Sequence, residues 1–126
     1  MKNCLVTGGT GFIGRRLVSA LRCNVRLLSR FHRSNVDTVI CDLKKDLIPI
    51  DTLIGIDTVF HLAGFAHDMR DASKIADLYY KVNVSATVQL ANLAVKSGVK
   101  KFVFVSSVKA GGNPPLGTCA NEKDQK

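Results

Sequence analysis

A short apolar run, Cys4-Leu5-Val6, ends on a cluster of glycines, and a helical pattern begins inside that cluster. The segment Thr7-Gly8-Gly9-Thr10-Gly11-Phe12-Ile13-Gly14 satisfies Gly-x-Gly-x-x-Gly at Gly9, Gly11 and Gly14. It also satisfies Gly-x-x-Gly-x-x-Gly at Gly8, Gly11 and Gly14. Glycine at this spacing permits a tight turn, close approach of the backbone to a pyrophosphate, and close packing of helix on strand. The helix that follows adds free N–H groups and a positive dipole end. A glycine cluster by itself also makes an ordinary turn. The strand–glycine–helix order is what makes this one a dinucleotide-binding signal.

The rest of the chain repeats strand and helix. Phe12, Ile13, Leu17, Val18 and Leu21 recur at helical spacing. Strands are expected at Val25–Leu28, Thr38–Cys41, Thr58–Leu62 and Lys101–Val105, and one long helix over Ser73–Ser97. That helix carries an apolar stripe of Ile75, Leu78, Val82, Ala86, Leu90 and Leu93, with Gly98 as its C-cap. Continuous apolar strands joined through helices predict an α/β, doubly wound parallel sheet covered on both faces. The expected domain occupies residues 1–112. Residues 113–126 read as a polar loop or tail leading to an absent C-terminal part, since Pro114-Pro115 and Asn121-Glu122-Lys123-Asp124 have no periodicity.

Composition narrows the function classes. The 126 residues suffice for one core, and 46% of them are hydrophobic. No apolar run reaches the roughly 20 residues of a membrane span, and the start lacks a signal-peptide pattern, so a cytoplasmic protein is expected. Cys4, Cys23, Cys41 and Cys119 form no Cys-x-x-Cys pair, so no metal site is expected and the thiols read as reduced and structural. The net charge is +8. Its basic residues are scattered as pairs without interleaved aromatics, which argues against nucleic acid. One asymmetry stands out: from Met1 to Val36 there is no acidic residue, while Lys2, Arg15, Arg16, Arg22, Arg26, Arg30 and Arg33 are basic. Such a stretch attracts an anion.

The second strand ends Leu28-Ser29-Arg30. In NAD binders a carboxylate at that point accepts hydrogen bonds from the ribose hydroxyls. Here Ser29 stands in its place and Arg30 follows. A guanidinium there can pair with a 2′-phosphate and stack on adenine, so NADP is the expected cofactor, with NAD the alternative. The plainer reading of Arg30 is a solvated strand end.

The fingerprint Thr7 to Gly14, including Thr10, Phe12 and Ile13, resembles that of the extended short-chain dehydrogenase/reductases, the NAD-dependent epimerase/dehydratase family. Asp42-Leu43 is similar to the family's adenine-contacting pair. His61-Leu62-Ala63-Gly64 resembles its segment flanking the nicotinamide ribose. Tyr80-Lys81-Val82-Asn83-Val84 resembles its central-helix pattern, with Asn83 as the structural asparagine. Val105-Ser106-Ser107-Val108-Lys109 resembles its fifth-strand end, which makes Ser107 the candidate catalytic serine. The resemblance implies a Rossmann fold, truncated after the fifth strand. Each match also has a plainer explanation. Asp42 could cap a loop, His61 could be a satisfied strand-end histidine, Asn83 could bond backbone within its helix, and the serines could simply end a strand.

The family's chemistry moves a hydride between nicotinamide and a sugar carbon, with a Tyr-x-x-x-Lys pair as acid/base and a serine on the reacting oxygen. Tyr79 and Tyr80 are the only tyrosines, and neither is followed by lysine at that spacing. The expectation is therefore a cofactor-binding portion, not catalytically competent, of a nucleotide-sugar 4-epimerase or 4-ketoreductase. A different class of reading is a non-catalytic NADP(H)-sensing regulatory module. Family dimers use two helices, only one of which is here, so no native-like dimer is expected.

Overall fold

The computed structural model describes residues 1–64, 72–107, 116–118 and 123. Five strands form one parallel sheet: β1 (Asn3–Thr7), β2 (Asn24–Ser29), β3 (Asp37–Ile40), β4 (Thr58–His61) and β5 (Lys101–Phe104). Their order is β3-β2-β1-β4-β5. The register places Thr7 beside both Leu28 and His61, so the carboxyl ends of the three central strands finish level. This is the doubly wound, Rossmann-like order, and its switch point lies between β1 and β4.

Alternation along β1 and β2 sends side chains to both faces. Val6 and Leu27 face helix α1 (Phe12–Ala20), where they surround Gly9 together with Val18. Leu5, Leu28 and Val59 face the other way and pack with Leu90 and Ala94 of helix α3 (Ala86–Lys96). Leu5, Val59 and Leu90 are fully buried, each contributing about 1.5–3 kcal/mol. The central layer therefore outweighs any single surface contact.

Strand and helix do not alternate everywhere. Residues 30–36 are too few for a helix between β2 and β3. Residues 41–57 join β3 to β4 through turns, broken by Pro49 and by Gly55 at φ 79. That connection still closes the core with Ile48, Leu53 and Ile56. Arg26 fastens it to the sheet edge, donating to the carbonyls of Thr52 at 2.8 Å and Ile54 at 3.0 Å and to Asp37 at 2.8 Å. The exposed ion pair is worth under about 1 kcal/mol. The two carbonyl bonds of the same charged group, about 1.5–3 kcal/mol each, decide its role.

The expected single helix over Ser73–Ser97 is in fact three pieces. Helix α2 (Ala72–Tyr80) and α3 are joined by a π-helical turn, Lys81–Ser85, in which the Ala86 N–H bonds the Lys81 carbonyl. Apolar spacing does not reveal this, because Val82, Ala86, Leu90 and Ala94 stay buried on either side of the change in winding. The end of α3 is as expected. Gly98 has φ 74, its N–H bonds Val95, and the Val99 N–H bonds Ala94 at 3.0 Å, a Schellman cap. No helix among the described residues is long and apolar enough to cross a membrane. The motif after Gly64, the stretch from Val108 to Pro115 and most of the tail lie outside the described residues.

Candidate functional site

The loop after β1 is fixed by close contacts. Gly8 has φ 69, and a Cβ there would stand 2.8 Å from the Ala63 nitrogen. A Cβ on Gly14 would collide with the Gly8 carbonyl oxygen. Gly11 differs. Its nearest neighbour would be the Gly8 oxygen at 3.4 Å, so its outer side is open. Gly8 and Gly14 thus set the shape of the loop, while Gly11 leaves room above the start of α1. Gly11 is the N-cap of that nine-residue helix, without a side-chain cap and without an acid in the first turn. The positive end of α1 is left uncompensated by the protein's own groups.

This loop forms one wall of a cleft of about 380 Å³ at the carboxyl ends of β1, β2 and β4. Gly8, Thr10, Gly11, Arg30, Asp42, Leu43, Leu62, Ala63 and Gly64 all line it. The structure therefore gathers residues from four separate segments of the sequence around one space. Phe12 and Ile13 lie in the first turn of α1 with exposed side chains, and only their backbone N–H groups belong to the helix end. Gly14 is buried behind the loop. Asn83 sits in the π-helical turn, its side-chain oxygen 3.4 Å from where a Cβ on Gly64 would be. Ser107 is exposed beyond the end of β5, outside the cleft lining.

The basic stretch does not converge as a unit. Arg26 is held by Asp37 and the 41–57 connection, and Arg16 lies over the Phe12 ring at 3.9 Å. Of the early arginines, Arg30 alone lines the cleft, beside Ser29, and no acid stands at the end of β2. Beyond the neighbouring strand end, where the Cys41 N–H bonds the Ser29 carbonyl at 2.8 Å, Asp42 does two things. It faces the cleft, and its Oδ1 accepts the Lys44 N–H at 3.0 Å to shape the turn. Lys44, Cys41, Leu28 and Val82 also line the space and were not singled out by the sequence. Val82 reads as plain core from its stripe; the structure places it in the π-helical turn and on the cleft lining.

Behind the cleft, Thr7 holds the β4 end in place. Its Oγ1 accepts the N–H groups of Leu62 at 3.1 Å and Ala63 at 3.0 Å, and lies 2.6 Å from Nδ1 of His61. His61 is 1% exposed, and burial lowers its pKa to about 4. It is a neutral, satisfied strand-end histidine rather than a base presented to the cleft. Cys4 and Cys41 are buried, where their apolar strand patterns place them, and Cys23 is half-buried. Cys4, Cys23 and Cys41 are free, and burial raises the thiols of Cys4 to about 12 and Cys41 to about 11. Among the described residues no group of His, Cys, Asp or Glu could hold a metal ion.

Comparison with known proteins places this arrangement. Residues 4–125 match the family described as NAD dependent epimerase/dehydratase. A UDP-glucose 4-epimerase of Vibrio cholerae is 35% identical over 126 residues, covering 94% of this chain and 38% of its own length. A 3-beta-hydroxysteroid dehydrogenase of Mycolicibacterium neoaurum is 30% identical over 115 residues, covering 82% of this chain and 31% of its own. The solved structure of MoeE5 in complex with UDP-glucose and NAD superimposes with a TM-score of 0.74 at 34% identity, covering 90% of this chain and 39% of that one. The chain thus spans well under half the length of these relatives.

Proposed function

Since the chain belongs to the NAD-dependent epimerase/dehydratase family, we propose that its cleft binds a nicotinamide dinucleotide and that it is the cofactor-binding part of a nucleotide-sugar epimerase or reductase. The observation that carries this reading is the open side of Gly11 at the uncompensated start of α1. A pyrophosphate fits there, against backbone N–H groups and the positive end of the helix. Phe12 and Ile13 contribute N–H groups, and Gly8 and Gly14 keep the loop close enough to offer them.

The remaining roles follow from position around the cleft. Arg30 binds the 2′-phosphate of NADP(H), because no carboxylate at the end of β2 competes for the ribose hydroxyls. Asp42 and Leu43 take the adenine edge and face. Leu62, Ala63 and Gly64, with Val82 opposite and Asn83 behind, enclose the nicotinamide half. When bound, the nicotinamide supplies the hydride donor and acceptor. Ser107 is assigned to hydrogen-bond the reacting sugar oxygen.

The acid/base has no candidate in these 126 residues, since Tyr79 and Tyr80 sit on α2 without lysine four positions on. We therefore propose that this chain binds cofactor without turning it over. A second reading of the same cleft is an NADP(H)-sensing module acting through a partner. Calorimetry with NADPH and NADH tests the proposal: micromolar or tighter binding of NADPH is the expected result, and absence of binding to either dinucleotide overturns it. Association with a second protein that changes with NADPH would favour the sensing module.

A further inference from the structure

His61 is buried under the cleft, belongs to no catalytic role assigned above, and has both ring nitrogens engaged. Nδ1 meets the Thr7 hydroxyl at 2.6 Å and Nε2 meets the Thr87 hydroxyl at 2.8 Å. The Thr87 hydroxyl in turn donates to the Asn83 carbonyl at 3.1 Å, inside the π-helical turn.

Counting donors fixes the protons. The Thr7 oxygen already accepts two N–H groups, from Leu62 and Ala63, so its own hydrogen goes to Nδ1. The Thr87 hydrogen goes to the Asn83 carbonyl, which can only accept, so Nε2 carries the ring proton. The result is one directed chain: Leu62 and Ala63 amides, Thr7 hydroxyl, His61 ring, Thr87 hydroxyl, Asn83 carbonyl. One end holds the Leu62–Gly64 wall of the cleft. The other end holds the turn that carries Val82, which also lines the cleft.

We propose that His61 is a positioning residue that fixes the two walls around the nicotinamide half of the cleft at their working separation, through Thr7 on one side and Thr87 on the other. This rests on the dinucleotide reading for its ligand but not for its geometry. A ring proton on Nδ1 would meet a Thr7 oxygen whose acceptor capacity is spent, so the device requires the neutral form. The groups facing His61 are Thr7 from β1, Thr87 from α3, and the rings of Phe104 at 5.7 Å and Phe102 at 6.3 Å from β5. None of these is charged, so among the described residues none of the groups facing the ring favours its cation.

Two measurements test the proposal separately. Nitrogen NMR of the imidazole in the ligand-free chain, assigned with His61→Asn, is expected to give the neutral Nε2–H form from about pH 8 down to about pH 5. An Nδ1–H form, or an ordinary titration near neutrality, overturns it. Binding is then compared for Thr87→Val, which keeps the shape but breaks the chain, and Thr87→Ser, which keeps the hydroxyl. Thr87→Val is expected to weaken NADPH roughly five- to tenfold, the size of one lost hydrogen bond. It should leave 2′,5′-ADP, which lacks the nicotinamide half, within about twofold, and Thr87→Ser should restore NADPH binding. Unchanged NADPH affinity in Thr87→Val, or equal losses for both ligands, overturns the proposal. If the wild-type chain binds neither NADPH nor NADH, the cofactor reading fails. Amide exchange at Leu62 and Ala63 then decides the positioning role, faster in Thr87→Val supporting it and unchanged overturning it.

Discussion

Gly8 and Ala63 approach so closely that a Cβ on Gly8 would lie 2.8 Å from the Ala63 nitrogen. The contact joins the loop after β1 to the end of β4 across the switch point, and it separates the glycines by role. Gly14→Ala drives a methyl into the Gly8 carbonyl and should cost about 1–3 kcal/mol, a fall of roughly 5–15 °C in Tm by thermal unfolding. Gly11→Ala meets only an oxygen at 3.4 Å. It should fold with a Tm within roughly 4 °C of wild type while losing most dinucleotide affinity, because the methyl occupies the open side of the loop. Equal effects of the two changes on Tm would contradict this division.

Arg30 is the test of cofactor choice. Arg30→Ala should weaken NADPH by roughly 10- to 100-fold, as expected for a charge-assisted pair, and leave NADH within about threefold. Raising salt should reduce the NADPH preference of wild type and not that of the variant. Titration calorimetry at two ionic strengths reads both effects.

His61 should also shape the acid limb of stability. Its pKa is lowered from 6.5 to about 4 in the folded chain by burial, so the unfolded chain takes up the proton first. Its stabilisation is complete above about pH 6.5, is lost as pH falls toward 4, and amounts to about 3 kcal/mol. Urea unfolding across this range should show the loss in wild type and a flatter profile in His61→Asn.

Asp57 acts at lower pH. Its carboxylate accepts the N–H groups of Asn3 and Lys2, both at 2.9 Å, and the Thr58 hydroxyl at 2.8 Å. The Asn3 amide, the Thr58 hydroxyl and the Lys2 amide together lower its pKa to about 2. The stabilisation is present above the ordinary carboxylate value of 3.8 and disappears as pH falls toward 2. Asp57→Asn should remove that part of the acid transition and loosen the start of β1, visible as faster exchange of the Asn3 amide.

Much of this arrangement is legible in the sequence for identifiable reasons. The glycine loop, the strand ends at Arg30 and Asp42, and the cap at Gly98 are local features, and local chemistry decides them. Their meeting in one cleft follows from the strand order β3-β2-β1-β4-β5, which joins segments far apart in the chain and is not a local property. Val82 and Lys44 are not legible. Val82 lies in a π-helical turn that the apolar stripe does not reveal, and Lys44 lies in a turn shaped by Asp42. The basic stretch misleads in the opposite sense. Its charges share a sequence interval, yet Arg26 and Arg16 are drawn to other partners.

The π-helical turn at Lys81–Ser85 makes the central helix sensitive to length in an unusual way. Such a turn holds one residue more than an α-turn, so deleting a residue there opens no gap and completes an ordinary helix. Five residues of this wider turn advance about as far around the axis as four of an α-helix, so the segments on either side would keep their faces. Losing one residue from α2 or α3 would instead rotate one segment by about 100° against the other and turn its buried side away. The surplus residue is thus slack in the central helix, the stretch where a shortening is absorbed locally rather than passed on to the core.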